Sequence, residues 1–301
     1  MRFGGHDSFG VRDGWLFKGT DAVATKPGLF FEETLADELG VGRNMAKSIR
    51  FWMSALGLMD VSSVKGEAKT PTLSRFCQVL IERDPYLVKQ SSIWMMHCIF
   101  LNDSEQAIIW KWFFQHFSLR NFTKAECEDA ASVFFATRGG GRPPTADSLT
   151  RDLSCLLGMY STEIPEKIDD PEDNHVSPFS RLGIISHLKS AHLFRLNDGT
   201  KKIPVSVFGF AAQLFANKIT QAAQIEISFK DLLTAVGSPG RTLVLSSEAL
   251  LTLLTQLEQE YPKVFRVVGH AGDRYLNVKV QDPLSWIENS ISKTECTEEL
   301  Q

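Results

Sequence analysis

The sequence is poor in cysteine, with five in 301 residues: Cys77, Cys98, Cys127, Cys155 and Cys296. They are odd in number and widely spaced, and they form neither a CxxC pair nor a Cys/His metal spacing. That pattern excludes a disulfide framework and a cysteine zinc site, and predicts reduced thiols in an ordinary core. Long apolar runs are also missing. The two most apolar stretches, SIWMMHCIFL and AIIWKWFFQHF, are interrupted by Asn102, Asp103, Glu105 and Lys111, so neither is long enough to span a bilayer. The N-terminus lacks the basic, apolar, small-residue succession of a secretory signal. A cytoplasmic protein with no membrane partner is expected.

Excess charge of either sign is absent too: 32 Lys and Arg against 36 Asp and Glu leave a net charge of −4. Affinity for a polyanion would have to come from local clustering of cations, because the total charge does not supply it. Established catalytic signatures are missing as well. There is no His-Asn-His arrangement, no acid, acid-x-lysine core, no paired histidines around a hydrophobic residue, no GxxxxGK[ST] and no GxSxG. GRNMAK at 42–47 lacks the spacing of a phosphate loop.

What is present is 43% hydrophobic residues, enough for an ordinary core distributed over two or three modules. FEETLADEL has helical periodicity, GVG makes a turn, and RNMAKSIRFWMSALGL reads as a second helix stopped by Gly57. LMDVSS, a polar tip VKGEAKT and PTLS then read as a hairpin. Two helices across a glycine turn followed by a hairpin is the order of a winged helix-turn-helix. From about 84 to 160 the chain is helical, with Trp94, Trp110, Trp112, Phe113, Phe114, Phe117, Phe134 and Phe135 recurring at helical spacings as a core stripe. The acidic, proline-punctuated STEIPEKIDDPEDNHVSP, 161–178, reads as a linker. Beyond it, ISFKDLLTAVG as helix, SPGRTLVL as a turn into an extended run, SSEALLTLLTQLEQEY as a capped helix and FRVVGHAGDRYLNVKV as a hairpin suggest a second winged-helix-like unit.

The expected fold is therefore mainly α with small β hairpins, in the α+β class. It comprises an N-terminal motif and winged helix-turn-helix over 1–82, a helical domain over 83–165, a winged-helix-like domain over 166–288 and a polar tail over 289–301.

Two stretches carry candidate chemistry. On the helix at 43–56, Arg43, Lys47, Arg50 and Ser54 fall within a stripe of roughly 60°, opposite Met45, Ile49, Trp52, Met53 and Leu56. Residues 41–75 hold six Lys or Arg (Lys65 and Lys69 in the hairpin tip) against Asp60 and Glu67. This basic face occupies the recognition-helix position, where cations meet phosphates and Asn44 or an arginine reaches base edges. The second stretch is GGHDSFGVRDGWLFKG, 4–19, where His6, Asp7, Arg12, Asp13 and Lys18 include every residue type that phosphodiester cleavage needs. The same residues equally fit a loop in which the aspartates cap turns and Arg12 and Lys18 face solvent or phosphate. TRGGGR at 137–142 places Arg138 and Arg142 on a glycine-rich loop, either around phosphate or as a plain turn.

GHDSFGVRDGWLFKG, LGVGRNMAKSIRFWMSALGL, SPFSRLGII and SPGRTLVLSSEALL together resemble a family of uncharacterised-domain proteins encoded beside bacterial DNA phosphorothioation genes. The resemblance runs from Phe3 to about Val280. It implies a DNA nickase of the Ssp phosphorothioation system, acting in anti-phage defence with the cysteine desulfurase SspA, the ATPase SspC and the sulfur-inserting enzyme SspD. Within the matching motif, His6, Asp7, Arg12 and Asp13 are the expected cleaving group. Arg12, Lys18, Arg43, Asn44, Lys47, Arg50, Arg138 and Arg142 are expected to bind duplex DNA, Mg²⁺ or Mn²⁺ is expected as cofactor with no organic one, and a homodimer is expected across the duplex. A non-catalytic DNA-binding regulator that recruits the sulfur-inserting enzyme is the competing expectation.

Overall fold

Glycine 40, at φ 62° in the left-handed region, ends one helix, and two residues later Gly42 begins the next; that pair of punctuation marks sets the geometry of the N-terminal region. The computed structural model describes residues 3–62, 70–102, 105–106, 108–137, 144–164, 177–198, 202–270 and 272–290. Lys65, Lys69, Arg138, Arg142 and Cys296 lie outside them. The described chain is α+β and divides into two compact units, one of residues 1–113 and 117–196 and the other of 114–116 and 197–301. The segments 1–82 and 83–165 thus fall in one unit apart from 114–116, and the segment 166–288 is shared between both.

In the first unit the helices are α1 (Trp15–Thr25), α2 (Leu35–Leu39), α3 (Arg43–Ala55), α4 (Arg75–Ile81), α5 (Gln90–Asn102), α6 (Ile108–His116, whose last three residues belong to the second unit), α7 (Lys124–Thr137) and α8 (Ala146–Tyr160). Strands β1 (Met59–Ser62) and β2 (Thr70–Leu73) form an antiparallel hairpin in the register Met59↔Leu73 to Ser62↔Thr70. Strands β3 (Asn121–Phe122), β4 (Ser161–Ile164), β5 (Ile185–Leu188) and β6 (Leu193–Leu196) make a sheet in the order β3-β6-β5-β4. The expected linker therefore starts as structure: Ser161–Ile164 pairs in parallel with β5, while 165–176 lie outside the described residues.

Alternation of burial along α3 explains its place. Ala46, Ser48, Ile49, Trp52, Met53 and Ala55 are buried, whereas Arg43, Asn44 and Lys47 are exposed. The expected aromatic stripe is core: Trp94, Trp110, Trp112, Phe113, Phe114, Phe117 and Phe135 are buried and Phe134 is half-buried. Trp52, Phe100 and Trp110 meet edge-to-face at 5.4–5.7 Å between ring centroids, the arrangement favoured by ring quadrupoles. Cys77, Cys98, Cys127 and Cys155 are buried free thiols. Burial pushes Cys77 and Cys127 up to about 12, with Glu128 adding to the shift of Cys127, so these are packing residues rather than nucleophiles.

The second unit holds α9 (Val205–Ile219), β7 (Gln224–Ser228), α10 (Phe229–Thr234), α11 (Pro239–Thr242), α12 (Ser247–Glu260), β8 (Phe265–His270), β9 (Asp273–Lys279) and α13 (Pro283–Ser290), with an antiparallel sheet in the order β7-β9-β8. The hairpin FRVVGHAGDRYLNVKV forms as expected. SPGRTLVL does not become a strand: Ser238 accepts the backbone N–H of Arg241 and Pro239 occupies the first turn, so a short helix begins there. Among the described residues, no helix is long and apolar enough to cross a membrane.

Candidate functional site

The loop GGHDSFG is fixed in place by three buried side chains from two helices. Asp152 of α8 accepts the backbone N–H of Gly4 at Oδ2 (3.1 Å), and its Oδ1 lies 3.1 Å from His6 Nε2. Ser48 of α3 donates to the carbonyls of His6 and Phe9 at 3.1 and 3.2 Å, and Trp52 Nε1 donates to Phe9 O at 2.9 Å. Gly5 is needed because a Cβ there would come within 2.7 Å of the Phe51 ring. The consequence is that His6 is enclosed. It is only 1% exposed and sits among Phe51, Trp52 and Trp110, with Nε2 engaged by a carboxylate. Nδ1 has no partner among the described residues. Its ring holds the loop and has no open path to a backbone phosphate.

The tip of that loop is different. Phe9 N donates to His6 O at 2.8 Å, closing a four-residue turn whose central residues Asp7 (φ 45°) and Ser8 (φ 66°) are both left-handed. Both signs match a type I′ turn, which glycine, asparagine and aspartate normally fill, so Asp7 suits its place and Ser8 is held there against its preference. Both are exposed.

Asp7 opens onto a cleft of about 590 Å³ together with Lys47, Arg50, Ser54 and Gln106. Its apolar wall is Phe3, Phe31, Phe51, Met59 and Val61, and Gly4 and Gly5 contribute backbone. Lys47 is exposed; Arg50 is half-buried, and its Nη2 donates to the Glu32 carbonyl. Burial pushes Arg50 below the ordinary arginine value, partly opposed by the charge of Glu32. Gln106 Nε2 donates to Ser54 Oγ at 3.0 Å.

The other expected residues are committed elsewhere. The Arg12 guanidinium lies over the rings of Phe9 and Trp15, 5.3 and 5.4 Å from their centroids, a cation–π clamp. Asp13 pairs with Arg181, and Lys18 Nζ donates to Leu39 O at 2.9 Å. Arg43 and Asn44 stand exposed at the start of α3 without lining the cleft. Of the residues singled out from sequence, the structure brings Asp7, Lys47 and Arg50 together, buries His6, and ties Arg12, Asp13 and Lys18 to neighbours.

Asp152 and Ser48 escaped the sequence reading. A signal existed for the first: with Leu149, Leu153 and Leu156 it falls at i, i+3, i+4, i+7 on the buried face of α8, and a carboxylate on an apolar stripe needs a buried partner.

The donor set does not suit a divalent cation held by the protein. Among the described residues no three His, Cys, Asp or Glu come together. Among the described residues Asp7 is the one carboxylate lining the cleft, beside two cations. Mg²⁺ needs one or two carboxylates plus phosphate or water oxygens, and adjacent Lys and Arg oppose it.

A loop riveted to two helices, an aspartate on a strained turn and a cationic helix face beside an aromatic cleft define a site within one α+β unit, and this unit recurs in known proteins. A family model described as "Protein of unknown function (DUF4007)" matches residues 3–291, and the chain belongs to that family. Its fold matches a solved structure described as "Magnesium ion-bound SspB crystal structure", with a TM-score of 0.83 and 22% identity over 95% of this chain and 85% of that one. A second, "SspB crystal structure", matches with a TM-score of 0.80 at the same identity and coverage. No protein with a curated description matches the chain.

Proposed function

We propose that this protein binds duplex DNA and nicks one strand of it within a phosphorothioation-linked defence system, alongside SspA, SspC and SspD. The observation that carries the DNA-binding part is the exposed cationic face of α3. Helix, glycine turn, helix and hairpin follow one another as α2, Gly40, α3 and β1–β2, the order of a winged helix-turn-helix with α3 in the recognition position. Arg43, Asn44 and Lys47 are exposed on it. Its first turn carries no acid and no side-chain cap, so its positive end is open to an anion. The fold shared with SspB supports a phosphorothioation setting.

In this reading Asp7 replaces His6 as the group facing the scissile phosphate. Its carboxylate accepts the proton of an attacking water as the water oxygen bonds to phosphorus and the bond to the leaving oxygen breaks. Lys47 and Arg50 offset the charge that develops on the phosphoryl oxygens. His6 and Asp152 are positioning residues, and Arg12 and Asp13 fix the loop's exit through Trp15 and Arg181. Mg²⁺ or Mn²⁺ would arrive with the phosphate, held by the DNA and not by the protein. Two copies across the duplex would follow the symmetry of DNA.

The burial of His6 favours a second reading, a non-catalytic DNA-binding subunit that recruits the sulfur-inserting enzyme. Purified protein and the Asp7→Asn variant, incubated with supercoiled plasmid with and without Mg²⁺ or Mn²⁺, separate the two. Asparagine tolerates the left-handed backbone and removes the base. Open-circle product from the wild type and little from the variant supports the nickase. Salt-sensitive binding without nicking supports the recruiting subunit, and absence of DNA affinity overturns both.

A further inference from the structure

We propose, building on the DNA-binding reading, that the cleft beside α3 receives a single unstacked nucleotide, its base against the phenylalanines and its phosphate against Lys47 and Arg50. Duplex backbone alone calls for cations and polar donors, and the exposed start of α3 supplies these. The cleft is built otherwise. Phe3, Phe31 and Phe51 are each only half-buried, whereas the aromatic core of the same unit is closed to solvent, with Trp52, Trp94, Trp110 and Phe100 at 1% exposure or less. Half-exposed rings beside cations are the composition of sites that stack bases while tracking a phosphate chain.

The dimensions and bracing agree with this occupant. A volume of about 590 Å³ lies inside the range of roughly 300–1,000 Å³ typical of small-ligand sites, large enough for one nucleotide. Phe51 is held by its neighbours: the Gly5 backbone lies against the ring, and His6 and Trp52 pack edge-on at 5.7 and 5.0 Å between centroids. Arg50 is held by Glu32 O, so its charge is fixed at the rim before any ligand arrives. Ser54 and Gln106 supply a polar edge for a base. Enzymes that act on DNA away from the helical stack lower the cost of extrusion in the same manner, by offering a stacking surface.

The test compares the affinity of the intact protein for a perfectly paired duplex and for the same duplex with a one-nucleotide bulge. Unstacking costs a few kcal/mol in a paired duplex and little at a bulge, so the wild type should bind the bulge about tenfold or more tightly. Phe31→Ala and Phe51→Leu should lose that preference, and Lys47→Ala should weaken both substrates by a similar factor. Phe31 is half-exposed and offers a variant that spares the braced ring. Equal affinity of the wild type for both substrates overturns the nucleotide cleft and leaves DNA binding standing. A preference that survives both phenylalanine variants overturns it likewise. No affinity for either DNA overturns the DNA-binding reading and this proposal with it. Displacement of the bulged DNA by a deoxynucleoside monophosphate as effectively as by DNA would assign the cleft to a free nucleotide and overturn the strand.

Discussion

Two regions of the molecule follow the order helix, turn, helix, hairpin, and they present opposite chemistry on the second helix. In the first unit that helix is α3, which exposes Arg43, Asn44 and Lys47 and carries no acid in its first turn and no side-chain cap. In the second unit it is α12, whose charged residues are Glu248, Glu258 and Glu260. Ser246 caps α12 by accepting the Ala249 N–H, and Glu248 sits in its first turn. Its positive end is therefore satisfied from within, while that of α3 is left for an anion. The two helices share an element order and differ in the sign of the exposed face and the state of the N-terminus. The hairpin of the second unit does expose Arg266 and Arg274, so the contrast lies in the helices.

Each unit fastens a loop to a helix, the second through Gln213 of α9 on Lys279 and Gln281 and the first through Asp152 of α8, and removing that buried carboxylate gives the largest expected effect. Asp152→Ala leaves His6 Nε2 and the Gly4 N–H without their acceptor and should cost about 3 kcal/mol, read as a lowered urea midpoint at unchanged m. A wild-type midpoint would show that the loop is not held by this carboxylate. Charge reversal addresses the helices themselves. Arg43→Glu with Lys47→Glu should flatten the salt dependence of DNA affinity by about two phosphate contacts and leave stability within about 0.5 kcal/mol. Glu248→Lys on α12 should change DNA affinity little; a gain equal to the loss at α3 would erase the comparison.

Two smaller effects sharpen it. Ser8→Gly relieves the left-handed residue at φ 66° and should stabilise the protein by about 1 kcal/mol in thermal unfolding. The same substitution should lower nicking, because the turn that presents Asp7 loosens. Gly42→Asp gives α3 the cap that α12 already has. The Gly42 backbone is extended, as a cap requires (φ −67°, ψ 154°), so a gain of about 0.5 kcal/mol in stability should accompany weaker DNA binding. Tighter binding would show that the open N-terminus plays no part.

Much of the first unit was legible because it rests on local rules. Gly40 and Gly57 mark helix ends, the basic and apolar stripes of 43–56 separate by periodicity, and the aromatics between 94 and 135 recur at helical spacing. SPGRTLVL departs from its expected form for a local reason too. Its Ser-Pro start is an N-cap followed by a first-turn proline, although the apolar TLVL after it has the composition of an extended run. The strand at 161–164 was hidden by the acidic, proline-rich run that follows it; its partner, β5, lies more than twenty residues away.

The candidate site shows the same division between local and distant. Sequence alone determined that a cationic helix face and a polar N-terminal loop exist, because side-chain phase and residue type are properties of short stretches. The sequence could not show which member of that loop faces outward. Asp152, 146 residues beyond His6, accepts from its ring, and Ser48 and Trp52 fasten the backbone on either side of the turn. Those distant hydrogen bonds bury the histidine and leave the aspartate beside it in the cleft with Lys47 and Arg50.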